Sequence, residues 1–206
     1  MLLPTPSKIV CVGRNYAAHA KEMGNAVPAE PLLFLKPPSS LIATGASIRL
    51  PSVSRHVEYE GEIGVVIARK LRRASAAEAR GAIGGIVAAN DVTARDLQKS
   101  DSQWTRAKGF DTFCCVGNVG AVPDDLASLR VVTRVNGTVR QEGLASHMVF
   151  HIPALLAYIS AIMTLEPGDL VLTGTPEGVG TLAPGDVVEV EIIGVSRVSN
   201  PVSSDQ

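Results

Sequence analysis

The chain has 206 residues, 46% of them hydrophobic, with 19 basic and 20 acidic side chains and a formal net charge of -1. That composition fits one compact domain with a sizeable core, and the absence of a basic stripe or like-charge tail argues against nucleic acid and for a small-molecule partner. Three cysteines (Cys11, Cys114, Cys115) draw neither a disulfide framework nor a zinc spacing, and the sequence shows neither a signal peptide nor a run of membrane-spanning length, so a cytoplasmic protein without a membrane partner is expected.

In chain order, residues 8–13 are a short apolar run ending in Gly13, which predicts a buried strand. Asn15 stands where a helix N-cap belongs, and Tyr16 to Met23 with Gly24 as a stop predicts a two-turn helix. A Pro-rich stretch then holds one strand, Leu32 to Lys36. Further strands are predicted around 47–50 and over 57–68, the longest strand-like segment. An Ala-rich helix fits 74–80, a buried strand 83–89, and a short helix 93–99 after Asn90-Asp91. Residues 100–113 are polar and read as a loop over a site. Asn136-Gly137 between β-rich runs predicts a hairpin of 130–135 with 138–141. An amphipathic helix is predicted over 152–163, with Pro153 in its first turn. Two Pro-Gly-Asp turns lead into strands 170–173 and 187–193, and the tail is expected to fray from Asn200. Many short strands, few helices and frequent Gly/Pro punctuation give a β-rich α+β fold class.

Chemistry concentrates in a few segments. Glu58, Glu60 and Glu62 alternate along a strand and would share one face. Such like charges repel, and a hard divalent cation would relieve them, unless they form a solvated strand face. Asp91 ends an apolar strand; it either completes a three-carboxylate set suited to Mg²⁺ or Mn²⁺ with Glu60 and Glu62, or caps the next helix. His19 and Glu22 lie three apart on one helical face, which suits an oriented general base, although an exposed ion pair is the commoner meaning of that spacing. Arg14, Lys36, Arg95 and Lys108 are cations placed to hold a substrate carboxylate, although most such residues only keep a surface wet. The glycine-rich stretch 173–180 is neither a Walker sequence nor G-x-G-x-x-G, which discards nucleotide binding. No G-x-S-x-G elbow occurs, and His147 and His151 lack the intervening Glu of a zincin.

Taken in order, Gly13-Arg14-Asn15-Tyr16 with His19 and Glu22, Phe34-Leu35-Lys36-Pro37, Tyr59-Glu60-Gly61-Glu62, Asn90-Asp91-Val92-Thr93-Ala94-Arg95-Asp96, Lys108-Gly109-Phe110-Asp111-Thr112 and Thr164 to Gly180 resemble the fumarylacetoacetate hydrolase family in its short single-domain form. The resemblance implies one catalytic domain over 1–206, built as a mixed β-sandwich roll and assembled as a homodimer. It implies Mg²⁺ or Mn²⁺ held by Glu60, Glu62 and Asp91, and gives Glu58 no ligand role. The helix near 15–23 resembles a mobile lid carrying His19 and Glu22, Lys108 an active-site lysine, and Gln98 and Thr175 positions near the substrate. Cys114-Cys115 and the polar segment 99–106 depart from the family pattern near the presumed mouth. The activity implied is C–C hydrolysis of a small 2-oxo acid, an acylpyruvate, to pyruvate and a carboxylic acid. Oxaloacetate decarboxylation and isomerisation of an unsaturated dicarboxylic 2-oxo acid are the alternatives within the family. A metal-dependent 2-oxo acid binding protein is the non-enzymatic one, and a His19–Glu22 pair speaks against it.

Overall fold

Ile9–Gly13 forms the predicted buried strand and pairs in parallel with Leu170–Leu172 and antiparallel with Leu32–Lys36. In the computed structural model, which describes residues 5–204, these strands belong to a seven-stranded mixed sheet. Its order is Leu32–Lys36, Ile9–Gly13, Leu170–Leu172, Gly61–Ile67, Ile83–Asp91, Cys114–Val116 and Leu41–Ala43. Both faces are covered, which is why its strands read as continuous apolar runs instead of alternating ones. Val10, Val12, Ile63, Val65 and Ile86 point into the main core, whereas Ile9, Cys11, Leu170 and Cys114 join a smaller cluster behind it.

A five-stranded sheet closes over the main core in the order Thr138–Leu144, Arg130–Val135, Val187–Ile192, Ser196–Ser204 and Ile48–Leu50. Its Val131, Val190 and Val198 are buried in the same cluster as Ile63 and Ile86. Gly180–Thr181, Val57–Tyr59 and Thr93–Ala94 make a small third sheet. This is the β-rich sandwich-like roll of the expected α+β class. The hairpin turns on Asn136 and Gly137, both at positive φ, the combination a two-residue turn requires. Ser75 and Glu78 form a capping box at the start of helix Ala76–Gly81. That helix packs on Ile152–Ile162, which carries Pro153 in its first turn.

Several expectations need correction. The chain does not fray at Asn200: strand Ser196–Ser204 pairs Pro201 with Val187 and Val202 with Ile48, and Asn200 donates to the Ala43 and Ala46 carbonyls. Only residues 205–206 of that tail lie outside the described range. Helix Ala17–Glu22 is shorter than predicted and begins after Tyr16; the Asn15 side chain instead ties Phe150 and the Thr173 carbonyl. The polar stretch after residue 100 contains a single helical turn, Thr105–Lys108. Cys114 and Cys115 sit fully buried in the sheet beside Asn90 and Asp91, not at a mouth. Among the described residues no helix is long and apolar enough to cross a membrane.

Candidate active site

The predicted 57–68 strand is broken at Glu60, and that break builds the site. Val57–Tyr59 belongs to the small sheet and Gly61–Ile67 to the large one. Glu60 sits at the corner, its N–H donating to Asn90 Oδ1 at 3.0 Å and its carbonyl accepting from Asp91 N at 2.8 Å. A Cβ on Gly61 would lie 1.8 Å from Thr133 Oγ1, so only glycine lets the corner seat this closely. The three glutamates therefore do not share one solvated face. Glu58 turns away to Arg95 (2.7 Å) and His56 (2.8 Å), while Glu60, Glu62 and Asp91 converge with carboxylate oxygens within 4.8 Å of one another. Asp91 does not cap a helix; the following helix, Arg95–Ser100, starts after Ala94.

Cations surround two of the three carboxylates. Lys36 Nζ lies 2.6 Å from Asp91 Oδ1, Lys108 Nζ lies 2.7 Å from both Asp91 Oδ2 and Glu60 Oε2, and Arg95 Nη2 lies 2.6 Å from Glu60 Oε1. Burial alone would push the Glu60 carboxyl up, but Lys108 and Arg95 hold it well below the ordinary carboxylate range. Lys108 mirrors it: burial would lower its ammonium, and Asp91 and Glu60 hold it above the usual lysine value. Glu62 is different. Burial pushes its carboxyl up, the charges of Asp91 and Glu60 push it further, and its hydrogen bond comes from Gly174 N–H at 2.7 Å. A buried carboxylate beside two others, with no side-chain cation of its own, is a donor set that fits a hard divalent cation. Every oxygen of Glu60 and Asp91 keeps a second lone pair after its ion pair, so the set remains able to coordinate.

The carboxylates floor a cleft of ≈ 270 Å³. His19, Arg14, Gln98, Lys108 and Thr175 line it as expected. Lys36 and Glu22 do not: Lys36 stands fully buried behind Asp91, and Glu22 lies behind His19, with Nδ1 3.2 Å from Oε2. Glu22 also accepts from Gly178 N–H at 3.0 Å. Arg95 was singled out only as one cation among several; its position four residues after Asp91, across the turn into the helix, was the available signal. Phe34 and Trp104 were missed as cleft residues. Their rings meet edge to face at 5.3 Å, and Lys108 Nζ lies 4.9 Å from the Phe34 ring centre. Trp104 stands four residues before Lys108, a helical spacing that would have pointed to it.

If Lys108 faces developing negative charge, Lys108→Met should lower kcat by about a hundredfold or more, because the cation acts in the transition state. A raised KM with unchanged kcat would make it a uniform binding group. Steady-state kinetics at saturating divalent cation separates the two.

Comparison with known proteins gives the family. Residues 8–203 match the family described as fumarylacetoacetate (FAA) hydrolase C-terminal. Over 198 residues the chain is 48% identical to the oxaloacetate tautomerase FAHD1, mitochondrial, of Arabidopsis thaliana, covering 93% of this chain and 89% of that protein. It is 45% identical to the oxaloacetate decarboxylase, mitochondrial, of Dictyostelium discoideum, covering 93% and 91%. A solved structure of 5-carboxymethyl-2-hydroxymuconate delta-isomerase from Mycobacterium smegmatis superposes with a TM-score of 0.92 at 44% identity, covering 100% of this chain and 82% of that one. The chain is a member of the fumarylacetoacetate hydrolase family, of the C-terminal-domain type.

Proposed function

We propose that this protein generates the enolate of a small 2-oxo acid, with oxaloacetate as the first substrate to test and proton transfer by His19 as its central act. The observation that carries this is His19, bonded from behind by Glu22, in the same cleft as Lys108 and the three carboxylates. Glu22 accepts from Nδ1–H, which leaves Nε2 to take a proton. Lys108 spends two of its three N–H donors on Glu60 and Asp91 and retains one for a substrate oxygen. Its fixed charge, kept protonated by those carboxylates, stabilises the negative charge that develops on the 2-oxo oxygen. A divalent cation held by Glu60, Glu62 and Asp91, Mg²⁺ or Mn²⁺, would supply electrophilic polarisation of that oxygen.

In keto–enol tautomerisation His19 removes a proton from C3 of oxaloacetate and the 2-oxo oxygen gains one. Decarboxylation reaches the pyruvate enolate by loss of carbon dioxide and needs no base. Acylpyruvate hydrolysis is the second reading, favoured by the same pair: His19 deprotonates a water that attacks the distal carbonyl, and the C–C bond breaks to release pyruvate enolate. Two of the relatives above are named for oxaloacetate, and the solved structure is named for a hydroxymuconate delta-isomerase, which supports the isomerisation alternative; hydrolysis is named only in the family description. The homodimer implied by the family resemblance stays part of the proposal, and sedimentation of the purified protein tests it.

The cleft also suggests which 2-oxo acids fit. Lys36, Arg95 and Lys108 are all ion-paired, whereas Arg14 and Lys99 line the cleft without an ion pair among the described residues. Arg14 is held there at a φ of 58°, a conformation its neighbours must enforce. A second carboxylate on the substrate is the group such a cation would meet. Arg14→Met should therefore cut kcat/KM for oxaloacetate by about tenfold to a hundredfold, the worth of a charged hydrogen bond, and spare acetylpyruvate. The deciding experiment assays purified protein with added Mg²⁺ or Mn²⁺ for loss of oxaloacetate enol absorbance, for pyruvate from oxaloacetate, and for acetylpyruvate cleavage. No turnover in any of the three would overturn the proposal.

A further inference from the structure

Two backbone segments that bring polar groups to the cleft lie far apart in sequence. One is the Glu60-Gly61-Glu62 corner. The other is the glycine-rich turn after Thr173, which gives Gly174 N–H to Glu62 and Gly178 N–H to Glu22. The two are joined directly by Gly174 N–H to Glu62 and by Thr175 Oγ1 to the Gly61 carbonyl, and a side chain from the opposite sheet bridges them as well. Gln141, 1% exposed on strand Thr138–Leu144, accepts from Gly61 N–H at 2.9 Å through Oε1. Through Nε2 it donates to Thr175 Oγ1 and to the Pro176 carbonyl, both at 2.8 Å. Thr175 closes the ring by donating to the Gly61 carbonyl at 2.9 Å.

The strand is deformed at this point. Its pairing passes from Thr133 opposite Gln141 to Arg134 opposite Val139, so Arg140 is an inserted residue. Bulges of this kind re-aim a side chain beside a functional site, at the expense of regular pairing. The fit is close on both sides. A Cβ on Gly178 would lie 2.1 Å from the Arg140 carbonyl, and Gly178 is at a φ of +94°.

We infer that Gln141, which does not itself line the cleft, is a positioning residue: its carboxamide sets the spacing between the metal-binding carboxylate corner and the turn that orients Glu62 and, through Glu22, His19. Loss of the amide would let corner and turn drift by fractions of an ångström, enough to weaken cation binding and proton transfer together. The inference rests on the cation-site reading above, so its test must fail separately from that reading.

The test titrates Mn²⁺ into chelator-stripped protein by calorimetry, alongside kinetics and melting curves. Gln141→Leu should weaken Mn²⁺ binding by about tenfold to a hundredfold, the usual range for groups that orient ligands, and lower kcat at saturating Mn²⁺ with little change in KM. Asn200→Leu is the control, since it removes a buried amide bonded to two backbone carbonyls far from the cleft; it should lower Tm and leave Mn²⁺ affinity unchanged. Should Gln141→Leu fold poorly, Thr175→Val cuts the same ring from the other side and is read by Mn²⁺ affinity, because Thr175 itself lines the cleft. Wild-type Mn²⁺ affinity and kcat in either variant, with only a lowered Tm, would overturn the inference and make Gln141 scaffold. Asp91→Asn separates the two levels: if it too binds Mn²⁺ like wild type, the cation site itself is wrong.

Discussion

Glu62→Gln is expected to remove nearly all turnover, by more than about a thousandfold if the cation contributes the several kcal/mol typical of electrophilic catalysis, while leaving the metal-free protein as stable as the parent or more so. The reason is the asymmetry of the carboxylate set. Glu62 has no cationic partner among the described residues, and its negative charge is opposed by burial and by Asp91 and Glu60. A neutral amide removes that repulsion and still accepts from Gly174 N–H. Asp91→Asn should lose activity equally but behave oppositely in stability. Asp91 meets both Lys36 and Lys108 at 1% side-chain exposure, and breaking buried pairs from one side costs about 3–5 kcal/mol. Melting curves in excess chelator read the stability difference. Added Mn²⁺ should then raise Tm in the wild type, since a ligand at a hundred times its Kd stabilises by about 2.7 kcal/mol, but in neither variant. Full activity in excess chelator, or equal destabilisation by the two substitutions, would contradict the assignment.

The second large effect separates the candidate reactions within one protein. His19→Ala should lower oxaloacetate tautomerisation and any acylpyruvate hydrolysis by about a hundred- to ten-thousand-fold, the range of general-base catalysis. Decarboxylation, which needs only an electron sink, should fall far less. His19 is buried to 6% exposure in the cleft wall, and the more exposed Glu22 also accepts from Gly178 N–H. Glu22→Gln should give a milder loss, because the amide oxygen can still accept from Gly178 N–H while one of the two oxygens that serve Gly178 and His19 becomes an NH₂ donor. The readout is kcat/KM for each reaction at saturating divalent cation. Equal losses in all three would mean that His19 closes or shapes the cleft, and its role as a base would be withdrawn.

Much of the scaffold could be read from local signals, because those signals are local in origin. The apolar run 8–13, the Asn136-Gly137 turn, the Ala-rich run 74–80, and Pro153 at a helix start each act over a few residues, and each element formed where predicted. The ordered motifs likewise named Glu60, Glu62, Asp91, His19 and Lys108, and the fold brings all five to one cleft.

Other features were set only by partners distant in sequence. The strand through Glu58, Glu60 and Glu62 looked continuous; it breaks because Tyr59 pairs with Gly180 in one sheet and Gly61 with Asn90 in another. Glu58 is taken from the carboxylate group by Arg95, an ion pair that spacing along the chain does not reveal. The tail after Asn200 carries no strong strand signal of its own, yet a ladder to Val187 and Ile48 orders it as far as Ser204. Gln141 is the sharpest case, a polar residue in a hairpin whose amide becomes buried only when the second sheet closes over the first. The residue types capable of the chemistry were thus written in the sequence. Which carboxylate pairs with a cation, and which is left without one, was decided by strand pairings and ion pairs that exist only in the folded chain.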